Sequence, residues 1–181
     1  MQKARLRCRT GFGESTVRLT AMNAKSQAFT MPILLADLAA TEALGARIAA
    51  GLGKSDAVAL HGDLGAGKTT LARAILRALA VAEQVPSPTF TLVQTYETPG
   101  LTVRHFDLYR IQNPRDVDEL GLEEALEEGA ALIEWPDNAE GRLPGEALHV
   151  VLTTTGPHSR RADIAGPARW ASLLSGDALV R

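Results

Sequence analysis

One run of eight residues constrains this chain more than any other feature. Gly62-Asp63-Leu64-Gly65-Ala66-Gly67-Lys68-Thr69 has the form G-x-x-x-x-G-K-[ST]. Glycines in such a run let backbone N–H groups turn inward around an anion with no side chain in the way. A helix starting directly behind the loop adds the positive end of its dipole. The lysine then reaches the β- and γ-phosphates of a nucleoside triphosphate, and the Thr hydroxyl ligates Mg²⁺. At ordinary glycine usage the pattern arises by chance in about one chain in a hundred, or fewer. The flanks agree with it. Ala57–Leu60 is a short apolar run that reads as a buried strand, and Leu71, Ala74, Ile75, Ala78 and Leu79 form a helical stripe with Arg73 and Arg77 on the wet face. Gly62, Asp63, Leu64, Gly65, Ala66, Gly67, Lys68, Thr69 and Thr70 are therefore the candidate phosphate-binding residues. The run lacks the third glycine and the later acid of a dinucleotide fingerprint, which argues against NAD.

The rest of the chain reads as alternating strands and helices. Ala40, Leu44, Ile48 and Leu52 recur at four-residue spacing, so Thr41–Ala50 is predicted as a helix, with Thr41 as N-cap and Gly51 and Gly53 at its end. Pro86-Ser87-Pro88 breaks the chain. Thr91–Glu97 and Leu101–Arg110 read as two strands joined by a turn at Thr98-Pro99-Gly100. Asp116–Glu128 is an acidic helical stretch, and Ala130–Ile133 is short, apolar and suited to a central strand. Ala147–Thr153 and Arg160–Ile164 read as strands, and Pro167–Leu174 as a terminal helix. The order implies an α/β fold: a P-loop NTPase-like three-layer α/β/α sandwich, with a mainly parallel sheet and one inserted antiparallel hairpin.

Composition bounds the setting. At 181 residues, 45% hydrophobic and 22% charged, the chain can bury a core as one domain. The lone cysteine, Cys8, makes neither an internal disulfide nor a zinc site by itself, so a reducing, cytoplasmic setting is expected. The most apolar window, Met31–Ala36, stops at Asp37, far short of the roughly 20 residues that span a bilayer; no membrane partner is expected. The first thirty residues carry six cations against Glu14, a charge of +5, which leaves −7 for the remainder. Residues 1–30 are read as a basic tail outside the fold, either flexible or a mis-assigned start; a transit peptide or an RNA-touching arm are the alternatives. Residues 31–181 form the expected domain.

An enzyme of this type needs an acid at the end of a strand beside the loop, to manage the metal. Asp107, after the alternating Val103-Arg104-His105-Phe106, and Glu134, after the apolar Ala130–Ile133, both qualify. From pattern alone Glu134 is the better candidate, because a wholly apolar strand is central. The four histidines show no metal-ligand spacing and are expected in structural roles. The acids from Asp116 to Glu128 are expected to be a solvated face.

Four blocks occur in order: the loop run continued by Thr70-Leu71, then Ser87-Pro88-Thr89-Phe90-Thr91-Leu92-Val93, then His105-Phe106-Asp107-Leu108-Tyr109-Arg110, then Ile133-Glu134-Trp135-Pro136. Together they resemble the TsaE (YjeE) ATPases of bacterial tRNA threonylcarbamoyladenosine formation, over roughly residues 31–155. The resemblance implies an ATPase that uses ATP and Mg²⁺ and supports the complex forming N6-threonylcarbamoyladenosine on tRNA. It implies a TsaD-like transferase subunit and a TsaB-like paralogue as partners, with tRNA met indirectly through them. By the same resemblance Lys68 and Thr69 hold phosphates and Mg²⁺, and Thr89 acts as a switch threonine near the γ-phosphate. Asp107 is the Walker-B-like acid, Glu134 contacts Mg²⁺ or orients the attacking water, and Trp135 lies beside the nucleotide. The alternative is a small-molecule P-loop kinase, disfavoured because the segment after Arg115 is acidic where a lid would carry arginines. A GTPase is disfavoured because no Asn-Lys-x-Asp guanine reader occurs.

Overall fold

The computed structural model describes residues 29–81, 85, 88 and 91–175. Seven strands are present there: β1 (Phe29–Leu35), β2 (Ala57–His61), β3 (Val93–Thr98), β4 (Leu101–Asp107), β5 (Ala130–Glu134), β6 (Leu148–Thr154) and β7 (Arg160–Gly166). The helices are α1 (Leu38–Gly51), α2 (Lys68–Ala78), α3 (Asp116–Glu119), α4 (Leu122–Glu128) and α5 (Arg169–Leu174), with a 3₁₀ turn at Pro136–Ala139. One sheet runs in the order β1-β7-β6-β2-β5-β4-β3. Its four middle strands, β6, β2, β5 and β4, are mutually parallel.

The antiparallel content exceeds the single hairpin expected. Besides β3–β4, a second hairpin joins β6 to β7, and β1 returns to pair with β7. Strand β1 has no counterpart in the sequence reading, and it starts at Phe29, two residues before the expected domain boundary. The acidic stretch is two helices rather than one, because Gly121 takes φ 72° between them and interrupts the ladder. The N-cap of α1 is Asp37, whose carboxylate accepts from the Ala40 N–H at 2.8 Å; Thr41, the expected cap, is buried inside the first turn.

Period-two alternation divides the strand side chains between two cores. Val58, Leu60, Leu132, Val150 and Leu152 face α1, α2 and α5, where Ile48, Leu71, Ile75 and Trp170 are fully buried. Ala57, Phe106, Ala131 and Ile133 face the other way, against α3, α4 and the 3₁₀ turn through Val117, Leu122, Ala125 and Ala139. The sheet is thus covered on both faces. The ends of β2, β4 and β5 come together at the start of α2.

Candidate active site

Three glycines of the loop adopt positive φ: Gly62 at 134°, Gly65 at 78° and Gly67 at 106°. At Gly62 the restriction is also one of space, since a Cβ there would lie 2.4 Å from the Leu152 carbonyl oxygen of β6. The loop is therefore pressed against the sheet before it turns into α2. Arg160, at the start of β7, braces it from outside by donating to the Ala66 carbonyl at 3.1 Å.

Lys68 and Thr69 open α2. The Lys68 ammonium donates back to the carbonyls of Gly62 (2.7 Å) and Asp63 (2.9 Å), and lies 3.8 Å from the centre of the Trp135 ring. Burial pushes its pKa below the ordinary 10.5, against the opposing pull of Glu134, Asp107 and Asp63. The Thr69 hydroxyl donates to Glu134 Oε2 at 2.9 Å.

Sheet register brings the acids in. Asp107 and Glu134 are directly paired across β4 and β5, so both point to the α2 face. Both are nearly fully buried. Asp107 Oδ1 accepts from the Tyr109 N–H at 3.1 Å. Trp135, the next residue after Glu134, takes φ 57° and ψ 47°, an uncommon backbone for a bulky residue, which turns its ring over Lys68 and against Tyr109 (centroids 4.9 Å apart). Leu64, Gly65, Gly67, Lys68, Thr69, Thr70, Asp107, Tyr109, Glu134 and Trp135 line one cleft of about 280 Å³.

The structure thus gathers Lys68, Thr69, Thr70, Asp107, Glu134 and Trp135 around one opening, with Gly62, Asp63 and Ala66 in the supporting loop. Thr89 lies outside the described residues. Three further residues belong to the neighbourhood, although sequence pattern assigns them no role in it. Tyr109 forms a wall of the cleft. Arg160 and His158 line a second cavity of about 110 Å³ on the far side of Gly67 and Thr70, together with Asp37 and Thr41. No spacing along the chain links the β6–β7 hairpin to the loop; only the sheet order does.

The family model described as threonylcarbamoyl adenosine biosynthesis protein TsaE matches residues 35–162. The chain belongs to the TsaE family. A Rickettsia felis relative, a tRNA threonylcarbamoyladenosine biosynthesis protein TsaE, is 38% identical over 74% of this chain and 79% of its own length. The Bacillus subtilis protein of the same name is 36% identical over 66% of this chain and 75% of its own. The crystal structure of Bacillus subtilis YdiB superposes with a TM-score of 0.68 at 29% identity, covering 81% of this chain and 93% of that one. The cleft of this TsaE-family chain lies within the matched span. Among the described residues no helix is long and apolar enough to cross a membrane.

Proposed function

We propose that the cleft binds ATP with Mg²⁺ and hydrolyses it, in support of the complex that forms N6-threonylcarbamoyladenosine on tRNA. The observation that carries this reading is the 2.9 Å bond between the Thr69 hydroxyl and the Glu134 carboxylate, beside Lys68 at the start of an 11-residue helix. That combination supports a P-loop NTPase-like reading of the fold: strand, glycine loop, helix, with acids from the neighbouring parallel strands.

The residues suit Mg²⁺. Thr69, Glu134 and Asp107 supply hard oxygen donors, and Mg²⁺ is usually held by one or two carboxylates plus substrate phosphates rather than by an all-protein cage. When bound, the ion neutralises charge on the β- and γ-phosphate oxygens. The chain does the rest. The loop amides and Lys68 bind the phosphates. Glu134 orients the attacking water, and Asp107 supplies the second negative charge. Trp135 and Tyr109 shield one side of the cleft from solvent. The second cavity, beyond Gly67 and Thr70, offers a bed for the base.

A TsaD-like transferase subunit and a TsaB-like paralogue are the proposed partners, and tRNA is met through them. The overall charge of −2 supports an indirect role, since a direct phosphate reader carries a basic surface. The test is ATP turnover by the full chain, alone and with those partners, using γ-labelled ATP. Label released as inorganic phosphate, faster with the partners, supports the reading. Label transferred to a metabolite would replace it with a kinase.

A further inference from the structure

The carboxylate of Glu134 has two oxygens, and only one is accounted for by the cleft. Oε2 accepts from Thr69; Oε1 lies 3.0 Å from Nε2 of His105. His105 is 0% exposed and Glu134 2%. His105 stands two residues before Asp107 on β4 and is paired with Leu132, so alternation puts its ring on the same face as Asp107 and Glu134, in the diagonal position across β4 and β5. With Glu134 as the acceptor, as it is toward Thr69, the proton of this contact is assigned to Nε2. The other ring nitrogen, Nδ1, is buried without a partner. Of its two ring nitrogens, only Nε2 has a hydrogen-bond partner, and that partner is Glu134.

We propose that His105 is a positioning residue for the reaction of this cleft: its Nε2–H captures Oε1 of Glu134 and so fixes Oε2 toward Thr69 and the reacting phosphate. This rests on the ATPase reading above. Without that bond, the buried carboxylate is free to rotate about its terminal torsion, and its second oxygen no longer has a fixed direction. Partners that orient a metal-site ligand in this way typically cost about 10- to 100-fold in activity when removed.

The test compares His105→Leu, His105→Asn and His105→Gln in the full chain. A Gln amide reaches the place of Nε2; an Asn amide stops short near Nδ1. The kcat for ATP with Mg²⁺ should fall about tenfold or more in His105→Leu and His105→Asn. The Kd for Mg-ATP, read from Trp135 fluorescence, should change much less. His105→Gln should recover most of the parent rate. Equal rates for the Gln and Asn variants, or parent-like turnover in His105→Leu, overturn the proposal; the Gln–Asn pair decides even where the Leu variant does not fold. A readout independent of activity is the crystal structure of His105→Asn. Displacement of Oε2 from Thr69 supports the proposal, and an unchanged 2.9 Å bond overturns it. A parent that turns over no ATP defeats the ATPase reading, while this crystallographic comparison still decides the role of His105.

Discussion

Two buried histidine clusters stand at the ends of the parallel strands, on opposite faces of the same sheet. On the α2 face, His105 bonds a carboxylate that also bonds a hydroxyl at a helix start, and the group borders a cleft. On the other face, His61 Nε2 lies 3.1 Å from His149 Nδ1, and His61 Nδ1 lies 3.3 Å from Asp137. That second cluster includes residues that flank the loop and the Trp135 turn in sequence, but it faces neither cavity described above. The two have similar chemistry and different surroundings. Where buried acceptors and donors converge on a helix N-terminus beside a cleft, they can act on a ligand. Where a histidine packs against a histidine, burial and the neighbouring ring depress basicity: His149 is lowered from 6.5 to about 4, with only Asp137 pulling the other way.

Four measurements break or sharpen that contrast, in decreasing order of effect. On the cleft face, Lys68→Ala should cut ATP turnover by about a thousandfold, since a preorganised donor to developing charge is removed; circular dichroism should be unchanged. Glu134→Gln should lower kcat by about a hundredfold while the Kd from Trp135 fluorescence moves little. Equal loss of rate and affinity would make Glu134 a structural acid instead.

The opposite face should report in stability rather than rate. Above pH 6.5 His149 is neutral in both the folded and the unfolded chain and contributes no pH dependence. As pH falls from 6.5 toward 4, the unfolded chain takes up a proton that the folded chain refuses, so stability is progressively lost. The full loss is on the order of 3 kcal/mol. Urea unfolding at several pH values should show that acid-side slope, and His149→Leu should remove it. The smallest effect returns to the cleft. The depressed pKa of Lys68 means that affinity for the triphosphate should weaken on the alkaline side before a solvated lysine would lose its charge. Lys68→Arg, which stays protonated, should bind with a flatter pH profile.

Much of this arrangement was legible beforehand. The loop, the strand before it and the helix behind it are local in sequence, and a local pattern suffices because each glycine and each apolar position acts on its immediate neighbours. Asp107 and Glu134 stood out as acids closing strands. His105 was harder. Its spacing to Asp107 puts both on one face, yet nothing in the chain says that β5 lies alongside in a register that aims Glu134 at it. Strand β1 leaves little local signal, because Pro32 interrupts a short apolar run and its pairing with β7 joins residues more than a hundred positions apart. The cap of α1 is Asp37 rather than Thr41 because apolar spacing marks only where the buried stripe starts, whereas the cap is set by whichever side chain reaches a free N–H.

By itself, then, the sequence determined a glycine-rich loop on a strand–helix corner and the acids that stand beside it, because these depend on backbone freedom and short-range periodicity. The tertiary structure decided which acid touches Thr69, which histidine holds that acid, and that an arginine from a distant hairpin braces the loop. Those outcomes depend on strand order and register, which arise from burying two faces of one sheet at once and are written in no single segment.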